Sequence, residues 1–148
     1  MLNEDYKEIL RALSASKARF LVIGAYAMGA YGYVRATGDF DIWVENSPEN
    51  SAKVYKALKK FGAPLDQITP ETFAVEGIVF QIGVAPRRID IVTSIDGVSF
   101  KKAYTSREEF LIERLKIPLL SKRDLIKNKT STGRAKDKLD AQELRRRR

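Results

Sequence analysis

Two aspartates separated by one residue, Asp39 and Asp41, open an otherwise apolar run, Asp39-Phe-Asp-Ile-Trp-Val44. On a strand the side chains alternate, so both acids project from one face with Cα atoms roughly 6.5 Å apart. Phe40, Ile42 and Val44 point the other way, toward a core. Like charges this close repel unless a cation sits between them, so the pair is suited to one or two divalent ions. A third acid, Asp90, lies in a second short apolar run, Arg88-Ile-Asp-Ile-Val92. There Ile89 and Ile91 take the core face and leave Arg88, Asp90 and Val92 on the opposite one. If the two strands are neighbours, Asp90 completes a metal triad or serves as general base toward a hydroxyl. Plainer readings exist for each acid. With nine aspartates in 148 residues, an Asp-x-Asp arises readily by chance. Asp90 could equally pair with Arg88 or Arg87 at a strand end.

The context upstream gives the acids a use. Phe20-Leu-Val-Ile23 reads as a buried strand, and Gly24 follows it at the start of a helical, Ala-rich stretch. Such a junction turns unpaired backbone N–H groups toward an anion, and the small residues Gly24 and Ala25 let phosphate oxygens approach the main chain. A lone glycine after a strand is also simply a tight turn. Joined to a same-face acid pair on the next strand, it describes a triphosphate–metal site.

The remaining elements are those needed to position these residues. Tyr6, Ile9, Leu10 and Leu13 give residues 3–16 the spacing of an amphipathic helix. Residues 26–32 have helical composition. Ser47 caps a helix with Pro48 at its first position, ending at Gly62. The stretch 63–78 is loop-rich, with a short helix at 70–74. Two strands, 79–83 and 88–92, are joined by the Ala85-Pro-Arg turn. Residues 100–104 read as a brief strand or loop, and Leu119-Leu120 ends another short strand. Ser121-Lys-Arg-Asp124 resembles a capping box at the head of a helix that Gly133 breaks, and a last helix spans 135–144. The order of strands and helices predicts an α+β fold: one mixed β-sheet flanked by helices in a single domain over 1–144, with 145–148 a disordered basic tail.

Composition narrows the chemistry. The chain has neither cysteine nor histidine, which removes disulfides, thiolate–zinc and His-based metal sites, and Ser–His triads. Catalysis must then rest on carboxylates, Lys, Arg, Tyr or a hard, oxygen-seeking ion. No apolar run approaches the ~18 residues of a membrane helix, and the first residues lack a signal-peptide pattern, so no membrane partner and a cytoplasmic address are expected. The net charge of +8 is unevenly spread: residues 1–100 carry 11 Lys/Arg against 12 Asp/Glu, residues 101–148 carry 16 against 7. That asymmetry fits a polyanionic partner, a triphosphate or RNA, and fits equally a solvated helical surface.

The segment Phe20–Val44, with its Gly24-Ala25 turn, short helix and Arg35-x-Thr37-x-Asp39-x-Asp41, resembles the opening motif of small bacterial and archaeal nucleotidyltransferases of the DNA polymerase β-like superfamily. Arg88-Ile-Asp-Ile91 is similar to their third-carboxylate strand. Asp124-Leu-Ile-Lys-Asn-Lys129 followed by Gly133-Arg-Ala-Lys-Asp137 and Asp140 is similar to the closing motif of the abortive-infection (toxin–antitoxin) members. The resemblance implies transfer of a nucleoside monophosphate from a nucleoside triphosphate to an acceptor hydroxyl on tRNA or other RNA, a protein or a small molecule. It implies Mg²⁺ (or Mn²⁺) on Asp39, Asp41 and Asp90, and triphosphate on Gly24 and Ala25. Arg35, Thr37 and Lys129 would contact phosphate, and Asp137 would support that region. At position 25 the family most often has Ser or Gly, so a hydroxyl contact is missing while backbone contacts survive. The flanking charges also fit simple roles, Lys129 and Asp137 as an ion pair among them. Two other functions stand beside catalysis: a silent nucleotide- or RNA-binding module of the same fold, and a structural subunit.

Overall fold

The strand Phe20–Ile23 (β1) is buried at all four positions and forms the middle of a six-stranded mixed sheet in the computed structural model, which describes residues 2–147. The other strands are Asp39–Val44 (β2), Val79–Ile82 (β3), Arg88–Val92 (β4), Glu108–Ile112 (β5) and Leu115–Leu119 (β6), in the order β3-β4-β2-β1-β6-β5. β2 runs antiparallel to β1 and parallel to β4, and β1 runs parallel to β6. The helices are Glu4–Ala15 (α1), Gly24–Ala30 (α2), Pro48–Phe61 (α3), Phe100–Thr105 (α4), Lys122–Ser131 (α5) and Ala135–Arg146 (α6). This is the α+β sheet-and-helix architecture expected. Among the described residues, no helix is long and apolar enough to cross a membrane.

The face each strand residue takes follows from packing. Phe40 of β2 is buried against Tyr6 of α1, rings stacked 4.6 Å apart, and Tyr26 of α2 meets both edge-on. α1 and α3 pack together on that side. Because Phe40 and Ile42 are committed to this layer, Asp39 and Asp41 must face the other one. On that second face Trp43 packs edge-on against Phe100 of α4. Helices α5 and α6 pack on each other, with Leu125 and Leu144 buried.

Local signals explain most boundaries. Asn3 caps α1 by accepting from Tyr6 N, and Ser47 caps α3 by accepting from Asn50 N. Gly62 ends α3 in the left-handed region at φ 94°. Ser121 accepts from Asp124 N, but the Asp124 carboxylate accepts from the Ser106 hydroxyl instead of returning to the cap, so only half of the expected box forms.

Four expectations are corrected. Residues 100–104 are helical, not strand or loop: Ser99 caps the turn, and Phe100 and Ala103 are buried three residues apart. A whole strand, β5, went unread. It makes a hairpin with β6 around Glu113 and Arg114, both at positive φ (48° and 70°), a conformation that hairpin turns usually signal with Asn or Gly. The last helix runs two residues beyond Leu144, to Arg146, and Arg147 donates to Gly32 O and Glu143 O, so these residues continue the fold where a tail was expected; Arg148 lies outside the described residues. The expected 70–74 helix is a single 3₁₀ turn, Thr72–Ala74.

Asn50 fastens the sheet to α3. Its Oδ1 accepts from Arg19 N at 2.7 Å, and its Nδ2 donates to Arg19 O and Glu45 O at 3.0 and 2.9 Å, at a buried position. Asn50→Ala leaves Arg19 N without a partner at the entry to β1 and takes one of two bonds from Arg19 O and from Glu45 O, which keep those from Glu45 N and Ser47 N. The expected loss is about 2–3 kcal/mol in chemical denaturation; a loss under about 0.5 kcal/mol would show that water replaces the amide freely.

Candidate active site

The parallel pairing of β2 with β4 sets Asp39 opposite Arg88 and Asp41 opposite Asp90. One oxygen from each of Asp39, Asp41 and Asp90 lies within 4.8 Å of the other two. Asp90 is buried, and the other two are partly exposed. The acids expected to converge do converge, and the register between two strands does it.

The Gly24 turn stands directly against this cluster. Gly24 has φ +70°, and a Cβ there would lie 2.3 Å from Asp41 Oδ2. Position 24 therefore requires glycine twice over, for its backbone angle and for the room that Asp41 takes. Ala25, next in the chain, edges a cavity of about 500 Å³ together with Arg35 and Thr37. Leu2, Tyr26, Val34 and Ile112 supply most of its apolar wall. The cavity lies beside the three acids, not over them. Thr37 donates its hydroxyl to Asp39 Oδ1 at 2.8 Å and so orients that carboxylate.

The cluster is electrostatically tense. Burial, then the Asp39 and Asp90 charges, push the Asp41 carboxyl up to about 7, against the opposing pull of Lys129 and Arg88. The donor set is all oxygen, with one carboxylate left short of positive charge. Such a set fits a hard divalent cation such as Mg²⁺ or Mn²⁺.

The other residues singled out from the sequence occupy a second charged group. Lys129 Nζ lies 3.4 Å from Asp137 Oδ1 and 3.5 Å from Asp140 Oδ2. Arg35 pairs with Asp140 Oδ1. Burial works against the Asp137 charge, but hydrogen bonds from Thr132 and Arg134 hold its carboxyl below the ordinary value. Lys129 and Arg35 thus face acids of α6, with Lys129 near enough to Asp41 to act on its charge. The ion pair considered for Lys129 and Asp137 is present.

Two residues of the site went unassigned in the sequence. Asp140 is 2% exposed and joins Arg35 to Lys129. Arg88 bridges Asp39 and Asp90, at 2.8 Å and 3.0 Å. The pairing of Arg88 with Asp90 considered from the sequence is present; its contact with Asp39 depends on register.

Two measurements test this geometry. Gly24→Ala drives a methyl into Asp41 and strains the turn, so it costs more than about 1 kcal/mol and weakens Mn²⁺ binding together with stability. Unchanged Mn²⁺ affinity would show that Asp41 is not held by the turn. The second measurement is thermal unfolding against pH without metal. An acid whose pKa is raised on folding favours the folded state at low pH and loses that advantage as the pH climbs from its ordinary 3.8 to about 7. Asp41→Asn is therefore expected to gain stability relative to the parent chain across that window and to hold the gain above it. A difference that does not change with pH would remove the raised pKa.

No protein-family model and no curated protein matches the sequence. Among solved structures, the chain is similar to the crystal structure of a putative nucleotidyltransferase from Thermotoga maritima, with a TM-score of 0.66 at 16% identity. The match covers 99% of this chain and 94% of that one. At this identity the likeness is one of fold, and it extends over the whole sheet and its helices.

Proposed function

We propose that this protein is a nucleotidyltransferase that moves a nucleoside monophosphate from a nucleoside triphosphate to an acceptor hydroxyl, with Mg²⁺ or Mn²⁺ held by Asp39, Asp41 and Asp90. The observation that carries the reading is the convergence of three carboxylate oxygens within 4.8 Å beside a glycine turn. The likeness of fold to a putative nucleotidyltransferase supports it. A bound divalent ion supplies positive charge to the attacking oxygen and to the departing pyrophosphate.

The chain's own groups divide the remaining work. Gly24 and Ala25 would offer phosphate oxygens the main-chain N–H groups that open α2, which no side chain caps. Thr37 keeps the Asp39 carboxylate in its orientation. Lys129 and Arg35 bring positive charge to the side where phosphates would lie; Arg35 offers a fork and Lys129 a point charge. Asp137 and Asp140 hold both side chains in place. In this proposal Asp90 accepts the proton of the acceptor hydroxyl as it attacks the α-phosphorus. The acceptor can be RNA, tRNA among them, a protein or a small molecule. The resemblance to abortive-infection enzymes in the closing motif makes a toxin–antitoxin setting part of the proposal.

Two observations favour a second reading, a silent module that binds a polyanion. Arg88 already neutralises two of the acids, and the last 48 residues hold 16 of the 27 Lys and Arg. A module of that kind binds RNA with steep salt dependence and without need of metal.

Incubation with each labelled triphosphate and Mg²⁺, with and without total tRNA and lysate, distinguishes the two. Nucleotidyl transfer predicts a covalently labelled acceptor, lost on adding a chelator. Asp39→Asn and Asp41→Asn are expected to abolish labelling in protein that still unfolds cooperatively. Labelling that survives in both variants would reject these carboxylates as the catalytic centre.

A further inference from the structure

One positive side chain already sits among the three acids. Arg88 of β4 lies in register with Asp39 of β2. Its Nη2 donates to Asp39 Oδ2 at 2.8 Å and to Asp90 Oδ2 at 3.2 Å, and its Nε donates to Asp90 Oδ1 at 3.0 Å. The guanidinium therefore takes both oxygens of Asp90 and one of Asp39, the forked geometry for which arginine is suited. These two carboxylates are also two of the three that cluster for a cation. A guanidinium at hydrogen-bond distance and a divalent ion on the same carboxylates would stand a few ångströms apart, and water screens that repulsion poorly in a partly buried cleft.

Arg88 also has a way out. Its side chain is 35% exposed at the edge of the cluster, whereas Lys129 is 15% exposed and held by two acids. Of the two cationic groups that act on Asp41, Arg88 is the one free to turn toward solvent.

We infer that Arg88 is a resident counter-cation that a divalent ion displaces. The side chain that keeps Asp39 and Asp90 together in the metal-free protein leaves when the ion enters, so loading is an exchange and not a simple addition. The inference rests on the reading of these carboxylates as a cation site. It gives Arg88 a positioning role: it keeps the acids assembled and sets the concentration of metal at which the site fills. A monovalent ion matches the guanidinium in charge but forms none of its directional hydrogen bonds, so it displaces Arg88 poorly.

Removing any positive charge nearby would strengthen metal binding somewhat, so the test needs a charge control. Arg87 supplies one. It is the adjacent residue, its side chain is exposed, and it pairs with Asp5 at 3.4 Å, away from the cluster. Mn²⁺ affinity is measured by calorimetry for the parent chain, Arg88→Ala, Arg88→Lys and Arg87→Ala, and the melting temperature of each is taken with and without saturating Mn²⁺. Exchange predicts that Arg88→Ala binds Mn²⁺ roughly tenfold more tightly than the parent, the worth of a charged hydrogen-bonded pair. Arg87→Ala is expected to change affinity by less than about twofold, as a screened surface charge does. Without metal, Arg88→Ala melts below the parent, and the gap closes at saturating Mn²⁺. Arg88→Lys keeps a charge but loses the fork, so it falls between parent and alanine variant; it carries the test if Arg88→Ala does not fold. Equal or weaker Mn²⁺ binding by both Arg88 variants, or equal gains from Arg87→Ala and Arg88→Ala, overturns the exchange while leaving the cation site standing. No Mn²⁺ binding by any of the four proteins overturns the cation site itself, and the exchange with it.

Discussion

Three carboxylates held within 4.8 Å of one another is a costly arrangement, and much of the surrounding structure can be understood as paying for it. The backbones that carry the acids cannot move apart, because their strands are pinned from behind. Phe40 and Ile42 on β2, and Ile89 and Ile91 on β4, are at most 1% exposed and lock both strands into the core layer. Apolar burial on one face thus fixes like charges on the other. Positive charge offsets the repulsion from two directions. Arg88 comes from the same sheet, and Lys129 comes from helix α5.

The glycine turn belongs to the same constraint. Asp41 Oδ2 occupies the volume that a side chain at position 24 would need, so the start of α2 and the second acid are positioned by each other. Tyr26, two residues further along, packs on Phe40 from the opposite face of β2. Turn, strand and helix therefore form one rigid piece. A small change at position 24 would be felt at the carboxylates without passing through any flexible segment.

The excess of basic residues in the last third has two parts. Lys129 and Arg134 spend their charge on Asp137, and Lys129 together with Arg35 on the buried Asp140, which ties α5, α6 and the approach to β2 into one network. Arg147 is used on Glu143 and Gly32. Several other residues, Arg123, Lys136 and Lys138 among them, lie on helices α5 and α6 and are exposed. The charge asymmetry visible in the composition is thus partly internal scaffolding and partly free surface, a division that net charge cannot express.

Alternation alone identified Asp39, Asp41 and Asp90 as outward-facing acids on apolar strands, and the caps at Ser47 and Ser121 and the stop at Gly62 were equally plain, because each depends on a few adjacent residues. Contacts that depend on partners distant in the chain were not legible. The hairpin at Glu113-Arg114 uses positive φ without the residues that advertise it, and the 100–105 helix is settled by burial against Trp43. Whether three acids would meet at all was decided by β2 and β4 pairing in parallel with Asp41 opposite Asp90, and that same register placed Arg88 against Asp39. Sequence determines which face a side chain takes, since that is a local property of the backbone. Only the assembled sheet determines which side chain stands across from it, since that depends on how whole strands are packed.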